Sequence, residues 1–205
     1  MMGEEQWLRI MELASPYLTA RWGWNLRHVE ISLQFARMLM AAEGGRPEVV
    51  IPAVILHDVG WSCVPGDLQA EAFGPRARNP RLNRLHEVEG VRLAREILIG
   101  SGYPEQWRAE ILAIVDNHDS GPAARSLNDA LVKDADKLWR FSLDGFTRST
   151  PRFQLEPEAN WQRLHDSVDK WMLTVTGKRL AREQLVLLQE ADYGRGGDLT
   201  GQKEP

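Results

Sequence analysis

The stretch Ala53–Trp61, AVILHDVGW, closes an apolar run on the doublet His57–Asp58. The run begins at Pro47, which suits the first turn of a helix, and continues through EVVIPAVILHD toward Gly60. Pro52 marks either a later start or a kink. Val50, Ala53 and Val54 must face a core, so His57 and Asp58 arrive at its edge. A carboxylate there meets the negative end of the helix dipole, and burial adds desolvation. Local rules oppose Asp58, and a violation of this kind marks a functional site when something nearby compensates. For a buried carboxylate beside an imidazole the natural compensator is a cation, and a metal ion serves.

Outward from this stretch the apolar residues return at three- and four-residue steps, with no run of period-two alternation. The spacing predicts an all-α chain. Asn25 can cap a helix with Leu26, Val29, Leu33, Ala36 and Met40 on one face, ended by EGGRP. Trp61 to Pro80 is rich in Gly, Pro and Arg and reads as a long loop, often a lid or binding segment. Helices are then expected over Leu82–Ile99, Pro104–His118 and Leu143 back to a Ser126 cap. After a Pro-containing connection, Glu158–Thr174 and Lys178–Ala191 read as two amphipathic helices. The tail GRGGDLTGQKEP, residues 194–205, has almost nothing to bury and reads as disordered. The expected organisation is one domain over 1–193, with its motifs within 25–143 and C-terminal helices over 158–191.

Composition narrows the function. The 205 residues carry a formal net charge of -4 with both signs mixed, which gives no electrostatic case for nucleic acid or an anionic membrane. Cys63 is the single cysteine, so neither an internal disulfide nor a thiolate cluster is available. The opening MMGEEQWLRIMEL is acidic and lacks the pattern of a secretory signal, and no stretch suits a membrane span. A cytoplasmic protein is expected. Eight tryptophans leave room for an aromatic interface patch and hence a homo-oligomer, although a core place accounts for most of them.

The search for further metal ligands rests on the direction each side chain takes from its helix. His28 shares a stripe with Ile31, Phe35 and Leu39. His86 shares one with Gly90, Leu93 and Ile97, and Gly90 leaves room one turn along. His118 continues the stripe of Ile111 and Ile114 where that helix ends. In LVKDADKLW, residues 131–139, Asp136 lies on the line of Val132, Trp139 and Leu143, whereas Asp134 points elsewhere. The doublet recurs as His165–Asp166 in RLHDSVDKW, but there the apolar face belongs to Trp161, Leu164, Val168, Trp171 and Val175. Asp166 points outward, within reach of Lys170, and this copy reads as a surface pair. One inward histidine is more often a core residue bonded to a carbonyl than a ligand. Six inward polar groups would each need a separate partner, whereas one shared metal centre satisfies them together.

The ordered set His28, His57–Asp58, His86, His118 and Asp136, the last in an Ala-Asp-Lys-Leu setting, resembles the HD-domain superfamily of metal-dependent phosphohydrolases. The resemblance spans about Asn25 to Leu143 and implies an all-α helical bundle with a metal site between core helices. It implies that His28, His57, Asp58 and Asp136 bind one metal, and that His86 and His118 add a second with Asp58 bridging. Imidazole and carboxylate donors suit Mn, Fe, Co, Ni or Zn, so one or two divalent transition metals are expected.

In the chemistry the resemblance implies, the metals polarise a phosphoryl oxygen and acidify an attacking water, which Asp58 orients. The substrate would be a nucleotide or another small phosphate ester. Lys137, Arg27, Arg84, Arg76, Arg78 and Arg81 are candidates to meet its charge, although an arginine alone is more often a solvated surface residue. Many phosphodiesterase members read His-Asp-Ile-Gly-Lys, and the nucleotidase branch often has glutamate at the last position. Here it is Trp61, whose ring can wall the pocket or stack on a base. That departure keeps a second class open, since a smaller HD branch uses the same donors to hold two irons and oxidise C–H bonds with dioxygen. A third is a non-catalytic HD module that binds a nucleotide or a partner.

Overall fold

A computed structural model of the chain describes residues 3–20, 24–72, 74, 78–121 and 123–194. The described residues are helical, with no strand among them. The order is α1 (Glu4–Thr19), α2 (Trp24–Glu43), α3 (Pro47–Leu56), α4 (Gly66–Ala72), α5 (Pro80–Gly100), α6 (Glu105–Val115), α7 (Leu127–Leu138), α8 (Leu143–Arg152), α9 (Pro157–Trp171) and α10 (Val175–Glu190). Short 3-10 turns cover Val59–Cys63 and Trp139–Phe141.

Helix α3 is the centre of the core. Every residue from Val49 to Leu56 is buried, against α1, α2, α6 and α7. A helix apolar on all sides has no solvent face to keep, which is why its sequence shows no amphipathic stripe. Pro52 lies inside it and cannot donate to the Glu48 carbonyl one turn back. The buried Tyr103 hydroxyl donates to that carbonyl instead, at 2.8 Å. Proline thus neither starts nor breaks the helix, because a partner from outside replaces the missing N–H.

Helix α7 is the second central element, buried along nearly its whole length although it carries Asn128, Asp129, Lys133, Asp134 and Asp136. Ser126 caps it by accepting from the Asp129 N–H, as expected. Lys133 is buried, with Nζ donating to the Ala123 carbonyl at 3.1 Å and lying 3.7 Å from Asp129. Asp134 accepts from Leu173 N, Thr174 N and Thr174 Oγ1 at 2.7–2.9 Å, and so docks the corner between α9 and α10 onto α7. A Cβ at Gly177 would overlap Asp134 Oδ2, so only glycine lets α10 begin there.

Several sequence expectations need correction. Asn25 is inside the first turn of α2 rather than before it. The 61–80 loop contains a 3-10 turn and the short α4. The helix expected from Ser126 to Leu143 stops at Leu138, and the connection beyond it holds α8, capped by Ser142. Val175 is exposed at the start of α10 and takes no part in the apolar face of α9. Arg76 and residues 195–205 of the tail lie outside the described residues. No described helix is long and apolar enough to cross a membrane.

Candidate metal centre

The end of α3 builds the site. His57 is still helical at φ -57°, ψ -36°, and Asp58 turns to φ -104°, ψ 3°, opening the 3-10 turn that follows. That turn lies on α5, and Gly60 makes this possible, because a Cβ there would overlap the His86 carbonyl oxygen and crowd the Gly90 backbone. The glycine after the doublet therefore joins the helix carrying His57 to the helix carrying His86.

Six side chains from five segments converge. His28 comes from α2, His57 and Asp58 from the end of α3, His86 from α5, His118 from the turn after α6 and Asp136 from α7. His28 Nε2 lies 2.8 Å from His57 Nε2, 3.3 Å from Asp136 Oδ1 and 3.4 Å from Asp58 Oδ2. His57 Nε2 lies 3.5 Å from Asp58 Oδ2 and 3.7 Å from Asp136 Oδ1. On the other side, His86 Nε2 and His118 Nε2 are 3.1 Å apart, at 4.0 and 3.6 Å from Asp58 Oδ1. The donors form two groups, and Asp58 presents one oxygen to each.

The donor chemistry fits a metal. His57 Nδ1 donates to the Val54 carbonyl at 2.7 Å and His118 Nδ1 to the Val115 carbonyl at 2.9 Å. Both Nε2 atoms are thereby aimed into the site, the arrangement by which backbone carbonyls orient metal-binding histidines. His28 Nδ1 and His86 Nδ1 are buried without a hydrogen-bond partner. The closest donor spacings, near 3 Å, are ones that a single ion with bonds of about 2.1 Å can span.

Without an ion, the site balances its own charge. Burial lowers the affinity of His57 for a proton, and burial with the neighbouring His118 takes His86 down to about 4. Burial also opposes protonation of His118, but the nearby carboxylate of Asp58, with the charges of Asp119 and Asp136, outweighs it, pushing it up to about 9. The two partners are driven apart, His118 toward the charged form and His86 toward the neutral one. Burial works against ionisation of Asp58 and Asp136, yet the histidines and, for Asp136, Arg140 keep both well below the usual carboxylate range.

The cations expected to meet substrate have other partners or face solvent. Arg27 is held by Asp144 at 2.7 Å and Glu30 at 3.3 Å on the surface. Arg84 binds Glu87 at 2.9 Å, Asp116 Oδ1 at 2.6 Å and the Asp116 carbonyl. The buried Glu87 in turn accepts from Asp119 N, Ser120 N and Ser120 Oγ at 2.6–3.1 Å. Arg84 and Glu87 therefore clamp the turn that presents His118. Arg78 and Arg81 are exposed. Lys137 is half-buried, and its charge acts on Asp134 across α7 from the site. Trp61 does reach the centre, with Nε1 donating to Asp58 Oδ1 at 3.0 Å and its ring stacked on His86.

Two residues were not found from sequence. Arg140, one turn beyond Asp136, places Nη1 3.5 Å from Asp136 Oδ1 and feels the charges of Asp58 and Asp119. Its signal was the same four-residue step that links ligands along a helix face. Asp119 forms another His–Asp doublet with His118, and its charge reaches His86, His118 and Arg140.

No curated protein and no solved structure matches the chain. A family model described as HD domain matches residues 25–140, more than half of the chain and all six converging side chains. The helical architecture and the paired histidine–aspartate groups agree with that match, and the chain belongs to the HD-domain family.

Proposed function

We propose that this chain is a metal-dependent phosphohydrolase acting on a nucleotide or another small phosphate ester. The observation that supports it is the placement of Asp58, whose two oxygens face two separate donor groups. One ion would be held by His28, His57, Asp136 and Asp58 Oδ2, and a second by His86, His118 and Asp58 Oδ1. Ions in these places supply electrophilic polarisation of phosphoryl oxygens and a more acidic attacking water. Asp58 fixes both groups relative to one another, and because it stays ionised it can accept a hydrogen bond that orients such a water. Arg140, partly exposed beside Asp136, takes the role of the cation that neutralises phosphate charge, in place of Lys137, Arg27 and Arg84.

The test is a panel of nucleotides and small phosphomonoesters and phosphodiesters, run with Mn, Co, Ni, Zn and Fe, with His57→Ala as blank. Hydrolysis that disappears in the blank is expected. Hydrolysis that persists in it refutes the site. A protein that holds two irons and consumes dioxygen, with no phosphoester turnover, would place it in the oxidative class instead.

A further inference from the structure

Trp61 is buried at 7% exposure, and its indole touches both Asp58 and His86. Its Nε1 donates to Asp58 Oδ1, the oxygen that faces His86 and His118, and not to Oδ2, which faces the other group. Its ring lies parallel to His86, with centroids 4.0 Å apart and planes at 9°. His86 needs this. His57 and His118 are oriented by backbone carbonyls through Nδ1, whereas His86 Nδ1 has no hydrogen-bond partner. A stacked indole restricts the rotation of the imidazole that a hydrogen bond would otherwise fix, and the indole N–H fixes the rotation of the carboxylate. The turn carrying Trp61 is itself locked on α5 through Gly60, so the indole is a rigid support.

We propose that Trp61 is a positioning residue that makes the Asp58–His86–His118 group a second metal site. This rests on the reading of the six side chains as metal donors, but not on which reaction they serve. The group of His28, His57, Asp136 and Asp58 Oδ2 offers four donors and fills first. The second group offers three and depends on Trp61 to hold two of them ready. Loss of an outer group that orients a ligand weakens metal binding by roughly 10–100-fold, and here the loss falls on the second equivalent alone.

The experiment is calorimetric titration of metal-stripped protein with Zn²⁺, for the wild type, Trp61→Phe and Trp61→Gln. Phenylalanine keeps a ring and removes the donor; glutamine keeps a donor and removes the ring. Wild type is expected to take two equivalents. Both variants should keep the first affinity and lose about tenfold or more in the second. Unchanged second affinity in both variants overturns the proposal, as does an equal fall in both equivalents. A wild type that takes one equivalent overturns it while leaving a metal centre; one that takes none overturns the metal reading as well. Should the variants lose their helical circular dichroism, the ¹⁵N-indole resonances of the wild type decide. The first equivalent should shift the signal of Trp139, whose ring lies 5.4 Å from His28, and the second should shift another. A second equivalent that moves no indole signal refutes the role of Trp61.

Discussion

His57–Asp58 and His165–Asp166 are the same dipeptide at helical positions of one chain, yet they share almost nothing else. His57 is buried at the end of α3, where the helix stops and Asp58 swings toward α5. His165 and Asp166 sit within α9, exposed, and pair with each other at 3.2 Å, with Gln162 adding a bond to Asp166 at 2.8 Å. Both aspartates are held below the usual range. For Asp166 the bond to His165 is the main cause, in water, whereas for Asp58 several histidines overcome burial. A doublet becomes a site when the backbone ends there and other helices bring donors to it.

The comparison is broken most severely from the buried side. His57→Ala and Asp58→Ala are expected to remove bound metal and activity together, measured by metal analysis of purified protein; retention of full metal by either variant contradicts the geometry. Gly60→Ala comes next, since its new Cβ must displace the α5 backbone. Overpacking of this kind costs about 1–3 kcal/mol, read as a lower denaturation midpoint of the metal-free protein. A midpoint equal to wild type would mean that the turn does not bear on α5.

His118 gives a proton-linked measure. Its affinity is raised in the metal-free fold, so its contribution to stability is full below about pH 6.5 and is lost as pH rises through about 9. At pH 7 an ion entering the second group must displace that proton. About one proton should be released with the second equivalent, read by titration in buffers of different ionisation enthalpy, and His118→Ala should abolish the release. Release that is the same at pH 7 and at pH 10 would contradict a raised affinity. The smallest effects belong to the exposed doublet. His165→Ala and Asp166→Asn should leave metal content unchanged and shift stability by no more than about 0.5 kcal/mol. Metal loss in either would erase the distinction between the two copies.

The convergence of the six side chains was legible because each sits on a regular helix, or at its end, where three- and four-residue spacing reports direction. The exposed character of Asp166 was legible for the same reason, although its partners are Gln162 and His165 rather than Lys170. Helix α8 was hidden because its sequence, LDGFTRSTPR, is mostly polar, with Gly145 and Pro151 breaking the pattern. Arg140 stands one four-residue step beyond Asp136, but that step alone does not set it apart from the chain's other arginines. Arg27 and Arg84 read as free cations because their carboxylate partners include Asp144 and Asp116, far away in sequence. Spacing along one helix carries no information about which charge another helix will offer.

Asp134 stands two residues before Asp136 on α7, and the two carboxylates face opposite tasks. One holds the α9–α10 corner through three hydrogen bonds, and the other reaches the histidines. Any movement that pulled the corner away would break the three hydrogen bonds that Asp134 accepts, within one turn of Asp136. The C-terminal helices supply none of the six converging side chains, yet they act as a splint for α7, whose other carboxylate reaches the histidines.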